Sequence, residues 1–190
     1  MATPHLTKES FEQHAHHDVK PHEHAVFVYD EETDILVPLA QFIEQGAREG
    51  DLSVFVHSFP HNEAARAFVS AGFPDAPKHE ADGGLAAAPY REAFERDAHI
   101  DYEHVGGVVD MLRATAARSG RRAPRIFVDA SKNYFDAGRV DEWFAFERWL
   151  GPRLQAEVGL VCAYRSSDLR DPKVLAQVLE THQYRFDAKR

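Results

Sequence analysis

Polar side chains that could do chemistry follow four of the apolar runs in this sequence of 190 residues. In parallel sheets, ligands bind at the carboxyl ends of the strands, so residues at these places should share one rim. The rim would combine an acid, an imidazole, an ammonium and a guanidinium, which makes a recognition crevice. Polar residues also end strands simply because strands end in solvent, and position alone does not separate the two interpretations. The residues are Tyr29 and Asp30, His57 and Ser58, Asp129 with Ser131 and Lys132, and Tyr164 with Arg165, Ser166 and Ser167.

Histidines near the start of the chain form a second candidate site. Five of them fall within eleven positions: His14, His16, His17, His22 and His24. Histidine-rich tracts bind zinc, nickel or copper, so the first four are candidate ligands for a divalent metal such as Zn²⁺ or Ni²⁺. The alternative is a solvated arm with no cofactor at all.

Glu147 is a carboxylate in the middle of an apolar helical stripe. At about 100° per residue, Trp143, Phe144, Leu150 and Leu154 fall on the same side as Glu147. A carboxylate facing a core must be paired, hydrogen-bonded or protonated. Glu147 therefore either anchors a ligand or a loop, or is a structural acid satisfied by backbone donors. Trp149 points elsewhere, which predicts an exposed partner or dimer surface.

Other features narrow the classes of function. The segment from Asp30 to Asp34 follows the first apolar run, where a phosphate-binding loop would lie, but it has no Gly and no Lys. Without such a loop, the pair Asp129 and Lys132 is only a weak indication of nucleotide binding. Cys162 is the only cysteine; it excludes an internal disulfide and a structural zinc site built on cysteines, and its apolar flanks predict an inert thiol. A net charge of −9 argues against direct binding to nucleic acid or an anionic membrane. With no apolar run at the start, we expect a cytoplasmic protein.

The elements that must position these residues alternate between strand and helix. This alternation predicts a three-layer α/β sandwich with a mainly parallel sheet, in a single domain over residues 24–190 after a polar, His-rich arm over 1–23. The stretch 75–84 reads as a loop. Predicted strands cover residues 25–29, 52–57, 85–90, 125–130 and 158–164, and predicted helices cover 33–48, 63–71, 91–97, 101–118, 138–154 and 172–181.

Several segments together resemble a known family. They are the run His24 to Tyr29, the pair Phe146-Glu147, the run Leu160 to Tyr164, and Thr181-His182 at the end of the last helix. This pattern resembles the MEDS domain, the sensory domain of methanogens and methylotrophs named for the regulator DcmR. The resemblance implies a degenerate RecA/KaiC-like fold without a phosphate-binding loop. It carries over His24, Tyr29, Glu147, Cys162, Tyr164 and His182.

The resemblance also implies a function. Such domains sense small molecules in transcription regulators, histidine kinases and anti-sigma regulators, so we expect a non-enzymatic sensor that acts through a protein partner, with a homodimer as one form. No DNA-binding, kinase or phosphoacceptor module is recognisable in the sequence. The alternatives are a metal-binding protein or metalloenzyme using the N-terminal histidines, and a residual nucleotide-binding protein. The expected ligand-binding residues are His24, Tyr29, His57, Asp129, Glu147, Cys162, Tyr164, Arg165 and His182.

Overall fold

Short apolar runs form a six-stranded sheet in the computed structural model, which describes residues 23–154 and 158–187. All neighbouring strands of this sheet are parallel, and the strand order is β3-β2-β6-β7-β1-β8. A separate two-stranded hairpin is formed by β4 and β5. The strands are β1 (His24–Tyr29), β2 (Leu52–His57), β3 (Leu85–Pro89), β4 (Glu95–Arg96), β5 (His99–Ile100), β6 (Pro124–Val128), β7 (Gly159–Arg165) and β8 (Tyr184–Asp187).

Helices follow most of the strands, as crossovers between parallel strands require. Two 3₁₀ turns, Glu32–Ile35 and Ser166–Leu169, follow β1 and β7. The α-helices are α1 (Leu36–Glu49), α2 (Asn62–Gly72), α3 (Ala76–Ala81), α4 (Tyr90–Phe94), α5 (Tyr102–Arg118), α6 (Ser131–Asp136), α7 (Val140–Leu154) and α8 (Pro172–Thr181).

The sheet separates two apolar cores, because successive residues of a strand point to opposite faces. Val26 and Val28 of β1 pack into one core, together with residues of α5, α7 and α8. Ala25 and Phe27 pack into the other core, against α1 and α2. This arrangement confirms the predicted three-layer α/β sandwich with a parallel sheet.

Most element boundaries agree with the prediction within a few residues, and three local predictions were wrong. The stretch predicted as a loop over 75–84 contains α3. Pro77 does not prevent this helix, because it lies in the first turn, where proline is tolerated. The helix predicted over 91–97 ends at Phe94 and gives way to the β4–β5 hairpin, whose turn residues Asp97 and Ala98 have φ values of 52° and 63°. The sequence pattern did not predict α6 or β8, both six residues or fewer.

Two predicted helices contain residues that disfavour a helix interior. Pro38 lies in the first turn of α1, which starts after a 3₁₀ turn rather than at Thr33. α5 runs unbroken through Gly106 and Gly107, because Val105, Leu112 and Ala116 on the same helix are buried in the core.

Candidate functional site

A polar network occupies the carboxyl edge of the sheet at the ends of β1 and β6. The Tyr29 hydroxyl donates to Asp129 Oδ1 at 3.2 Å, and Lys132 Nζ lies 3.3 Å from Asp129 Oδ2. Lys132 also pairs with Glu32 from the turn after β1. Burial raises the pKa of Asp129 above its ordinary value, while Lys132 opposes the rise. Because Lys132 is held by two carboxylates, this network resembles a structural clamp more than a phosphate cradle.

His57 and Arg165 lie near the same edge but are held by other partners. His57 Nε2 is 2.8 Å from Asn62 Oδ1 at the start of α2, and burial lowers the pKa of His57. Arg165 donates to Asp136 at 2.6 Å and to Asp168 at 2.8 Å and 2.9 Å. The rim residues predicted from the sequence are therefore gathered at one edge, but they are already paired with other side chains of the protein.

An open cleft of about 680 Å³ lies at the carboxyl edge next to this network. We call it the rim cleft. Its walls come from α4, the β4–β5 hairpin and α6, and none of the nine predicted ligand-binding residues lines it. Its lining residues are Tyr90, Arg91, Glu95, Ala98, Asn133, Tyr134, Asp136, Ala137 and Arg139.

Tyr134 and Arg139 give the rim cleft its chemistry. The ring of Tyr134 packs edge-on against Tyr90 with centroids 5.7 Å apart, and the Arg139 guanidinium lies 4.9 Å from the Tyr134 ring centroid. Arg139 is held by Glu95 at 2.9 Å and by Glu142 at 2.7 Å. Burial raises the pKa of the Tyr134 hydroxyl above its ordinary value, and the neighbouring Glu95 carboxylate raises it further. The rim cleft is therefore backed by buried tyrosine rings and a paired guanidinium, and its exposed charged side chains are Arg91 and Asp136.

Four buried side chains meet on the same face of the sheet as the rim cleft but away from it, in the core shared with α7 and α8. His24 begins β1, Cys162 lies in β7, Glu147 lies in α7, and His182 follows α8. One potential ligand atom from each lies within 4.8 Å of the other three. We call these residues the buried cluster. It lies towards the amino end of β1, so it is not part of the rim predicted from the sequence.

Short contacts connect the members of the buried cluster. His24 Nε2 is 3.4 Å from Cys162 Sγ, and His182 Nε2 is 3.5 Å from Glu147 Oε1. The two imidazole rings have centroids 4.0 Å apart. Burial lowers the pKa of His24 well below its ordinary value, and the nearby His182 lowers it further. Burial likewise raises the pKa of Cys162 well above the usual thiol value, with the Glu147 charge adding to it.

Tyr164 and Trp143 extend the buried cluster into the core. Trp143 Nε1 donates to the Tyr164 hydroxyl at 2.6 Å, and both side chains are fully buried. Burial raises the pKa of Tyr164, and the neighbouring Glu147 carboxylate raises it further. Glu147 accepts from the Thr181 hydroxyl at 3.3 Å. Its partners are thus side chains from β7 and the end of α8, rather than the backbone donors that the sequence suggested.

Comparison with known proteins identifies the family of this chain. Residues 23–183 match the model of a family described as MEDS, the MEthanogen/methylotroph, DcmR Sensory domain. The chain belongs to the MEDS family. That description gives the MEDS chain a sensory or signalling role, and a comparison with curated proteins found no match.

Solved structures show that the MEDS chain shares the fold of KaiC-like proteins. The KaiC-like protein PH0186 from Pyrococcus horikoshii OT3 is 16% identical with a TM-score of 0.51, over 77% of this chain and 62% of its own length. The uncharacterised protein PH0321 from Pyrococcus horikoshii, solved in complex with an unknown peptide, is 14% identical with a TM-score of 0.61, over 89% and 78%. The flagellar accessory protein FlaH from Methanocaldococcus jannaschii is 11% identical with a TM-score of 0.50, over 89% and 72%.

The structure thus divides the predicted site residues of the MEDS chain into two groups. Tyr29, His57, Asp129 and Arg165 lie at the carboxyl edge of the sheet. The others belong to or adjoin the buried cluster, away from that edge: His24, Glu147, Cys162, Tyr164 and His182. The predicted metal ligands His14, His16, His17 and His22 lie outside the described residues.

Sequence reasoning missed the residues of the rim cleft. Tyr134 was overlooked because no element was assigned between the strand that ends at residue 130 and the helix that begins at residue 138, although an aromatic soon after a strand end is a usable signal. Trp149, predicted to lie on an exposed partner or dimer surface, is half-buried, and its ring packs 5.0 Å from Tyr102 and under Arg153 at 4.3 Å. In the part of the chain that is described, no helix is long and apolar enough to cross a membrane.

Proposed function

We propose that this MEDS domain is a non-enzymatic sensor that binds a small organic molecule in the rim cleft and signals to a protein partner. The observation that carries the proposal is an open cleft of about 680 Å³ at the carboxyl edge of a parallel sheet. Ligands of open α/β sheets bind at that edge, and pockets of a few hundred to about 1,000 Å³ suit small ligands.

The lining of the rim cleft indicates the class of molecule. The buried rings of Tyr90 and Tyr134 back the rim cleft, and the small exposed side chains of Ala98 and Ala137 leave room there for an apolar body. Arg91, an exposed residue on the lining, adds a donor for an oxygen acceptor. The favoured ligand is therefore a small molecule with an apolar body and one carbonyl, carboxylate or hydroxyl oxygen.

The β4–β5 hairpin provides a route from the rim cleft to the surface. Glu95 and Ala98 of this hairpin line the cleft, and Arg139 ties Glu95 to α7. The amide of Ile100 donates to Glu142 Oε1 at 2.9 Å, which fixes the other strand of the hairpin to the same helix. A ligand that binds better to one position of the hairpin increases the population of that position. A partner that contacts the hairpin would then bind more or less tightly according to that population.

A blocked-cleft variant tests the proposal. Ala137→Trp places a large ring on the exposed lining of the rim cleft, and Ala117→Trp makes the same change at an exposed alanine of α5 outside the lining. Ligand-observed NMR with a panel of short-chain and aromatic alcohols, aldehydes and carboxylic acids detects weak binding. We expect at least one class to bind the natural chain and Ala117→Trp, and Ala137→Trp to abolish that binding.

Two outcomes would refute the proposal. In one, no compound class binds; in the other, binding survives Ala137→Trp. For a class that binds, hydrogen–deuterium exchange at residues 95–100 should slow when the compound is added. Unchanged exchange there would remove the hairpin as the signalling element while leaving the cleft as the binding site.

A further inference from the structure

Unsatisfied polar atoms mark the buried cluster as chemically incomplete. Glu147 Oε1, His182 Nε2 and His24 Nδ1 are buried and make no well-formed hydrogen bond to the described residues, although the Cys162 and Tyr164 side chains approach Glu147 and the Thr181 backbone approaches His24. Nearly all buried polar side-chain atoms in folded proteins have a partner, so three such atoms at one place need a physical cause. The residues concerned are no more than 6% exposed, which leaves little access for bulk water.

The orientation of His182 indicates what is missing. His182 Nδ1 lies 2.7 Å from the carbonyl oxygen of Val178, and a carbonyl only accepts, so Nδ1 carries the proton. In the neutral ring, Nε2 then presents a lone pair towards Glu147 Oε1, which is itself an acceptor. Two acceptors facing each other at 3.5 Å repel unless a proton or a metal ion lies between them. Metal-binding histidines have this arrangement, with the distal ring N–H donated to a backbone carbonyl.

The spacing of the donor atoms matches a tetrahedral ion. Bond lengths of roughly 2.0–2.3 Å to nitrogen, oxygen and sulfur imply donor–donor separations of about 3.3–3.8 Å at tetrahedral angles. The His24–Cys162 and His182–Glu147 contacts, at 3.4 Å and 3.5 Å, already fall in that interval. The widest pair, at no more than 4.8 Å, needs a contraction of about 1 Å.

The charge of the donor set also fits a divalent ion. A thiolate from Cys162 and the Glu147 carboxylate carry two negative charges, and two neutral imidazoles add none. A divalent cation makes the buried group neutral overall, which removes the cost of leaving unpaired charge in the core. The proton of the Cys162 thiol is released to solvent when the metal binds.

We propose that His24, Glu147, Cys162 and His182 bind one Zn²⁺ ion. Two imidazoles, a thiolate and a carboxylate are the ligand types that Zn²⁺ takes, and this mixed set needs only one cysteine. All four tetrahedral positions come from the protein, which is the pattern of a closed site that holds structure rather than an open hydrolytic one. The ion would tie β1, β7, α7 and the end of α8 together. This site lies on the same face of the sheet as the rim cleft, with Trp143 and Tyr164 between the two, but it shares no residue with the cleft lining and does not depend on the function proposed there.

Cobalt substitution tests the site in the full-length, tag-free chain. Tetrahedral Co²⁺ bound by a thiolate has intense visible bands and a sulfur-to-cobalt charge-transfer band in the near ultraviolet. We expect one equivalent of Co²⁺ to give both bands and one equivalent of Zn²⁺ to abolish them. Cys162→Ser should remove the charge-transfer band and weaken Co²⁺ binding more than about 100-fold, because loss of an outer-shell partner alone costs about 10- to 100-fold.

Two further variants test the role of Glu147 and of the N-terminal histidines. Glu147→Gln keeps the size of the side chain and the thiolate, so it should weaken binding while retaining the charge-transfer band at higher cobalt concentration. Far-ultraviolet circular dichroism confirms that each variant is folded. A chain in which alanine replaces the four N-terminal histidines should retain its metal: these are His14, His16, His17 and His22.

The proposal is overturned by any of three results. The first is no uptake of Zn²⁺ or Co²⁺ by the natural chain, which would make the buried cluster a purely protonated network. The second is a charge-transfer band that survives Cys162→Ser. The third is loss of all metal in the quadruple histidine variant, which would place the site in the N-terminal segment instead.

Discussion

Replacing Tyr164 with phenylalanine removes a hydroxyl that lies between Trp143 and Glu147 in the core beside the buried cluster. The phenylalanine ring keeps the packing of Tyr164, which is fully buried, and only the hydroxyl is lost. That hydroxyl accepts a hydrogen bond from Trp143 Nε1 at 2.6 Å. Because Trp143 is also fully buried, its N–H has no route to water after the substitution.

The expected loss of stability follows from the Trp143 N–H, which is left without an acceptor. Leaving a buried N–H unsatisfied costs about 1–3 kcal/mol in the free energy of unfolding. In a domain of this length, 1 kcal/mol corresponds to about 2–4 °C in Tm, so Tyr164→Phe should lower Tm by about 2–12 °C. The lower end applies if removing the buried hydroxyl itself offsets part of the loss.

A matched control makes the measurement decisive. Tyr102 is a partly buried tyrosine that packs on Trp149 through its ring and forms no hydrogen bond with the described residues. Tyr102→Phe removes the same atom and should change stability by less than about 0.5 kcal/mol. Urea unfolding of the three proteins, with slopes compared, gives the differences. Equal effects of Tyr164→Phe and Tyr102→Phe would refute the reasoning.

Three further perturbations have directions fixed by the structure. Gly46→Ala should destabilise the protein by about 1–3 kcal/mol, because a Cβ there would lie 2.6 Å from Arg125 Cδ in a buried contact. Gly106→Ala should stabilise it by up to about 1 kcal/mol, because a Cβ there would have no atom within 4 Å. Thermal unfolding of both variants checks these directions. Ala98→Gly should stabilise by about 1 kcal/mol, because Ala98 has a φ of 63° that glycine adopts freely, and a lower Tm would contradict this. Arg139 lowers the pKa of Glu142 from 4.5 to about 2, so the stabilisation from Glu142 is present above pH 4.5 and lost as the pH falls towards 2. The stability difference between the natural chain and Glu142→Gln should therefore shrink between about pH 6 and about pH 3, and a constant difference would exclude it.

The fold was largely predictable because its strands are short, continuous apolar runs. Runs such as Leu52 to His57 read as strands buried on both faces, and these residues are buried throughout. Elements that depend on tertiary contacts were not predictable. β8 is four residues long and exists through its pairing with β1, which local sequence does not encode.

Several residues of the candidate sites were predictable from the sequence, but how they group in space was not. Glu147 was singled out because a carboxylate on an apolar stripe needs a partner, and the structure brings His182 and Cys162 next to it. The grouping failed because strand-end reasoning assigns residues to one rim, whereas His24 starts its strand and faces the core of α7 and α8. Which face a residue takes depends on register, and the sequence does not specify it.

The position of β1 within the sheet has a consequence for how the chain is made. Both neighbours of β1, β7 and β8, come from the last part of the sequence, about 135 residues or more after it. At about 5–20 residues per second, an apolar first strand waits about 7–30 s on the ribosome before a sheet partner is synthesised. During that interval its unpaired edges are open to wrong associations. Chaperone capture of the nascent chain, and aggregation when synthesis stalls before β7, are the vulnerabilities that this strand order creates.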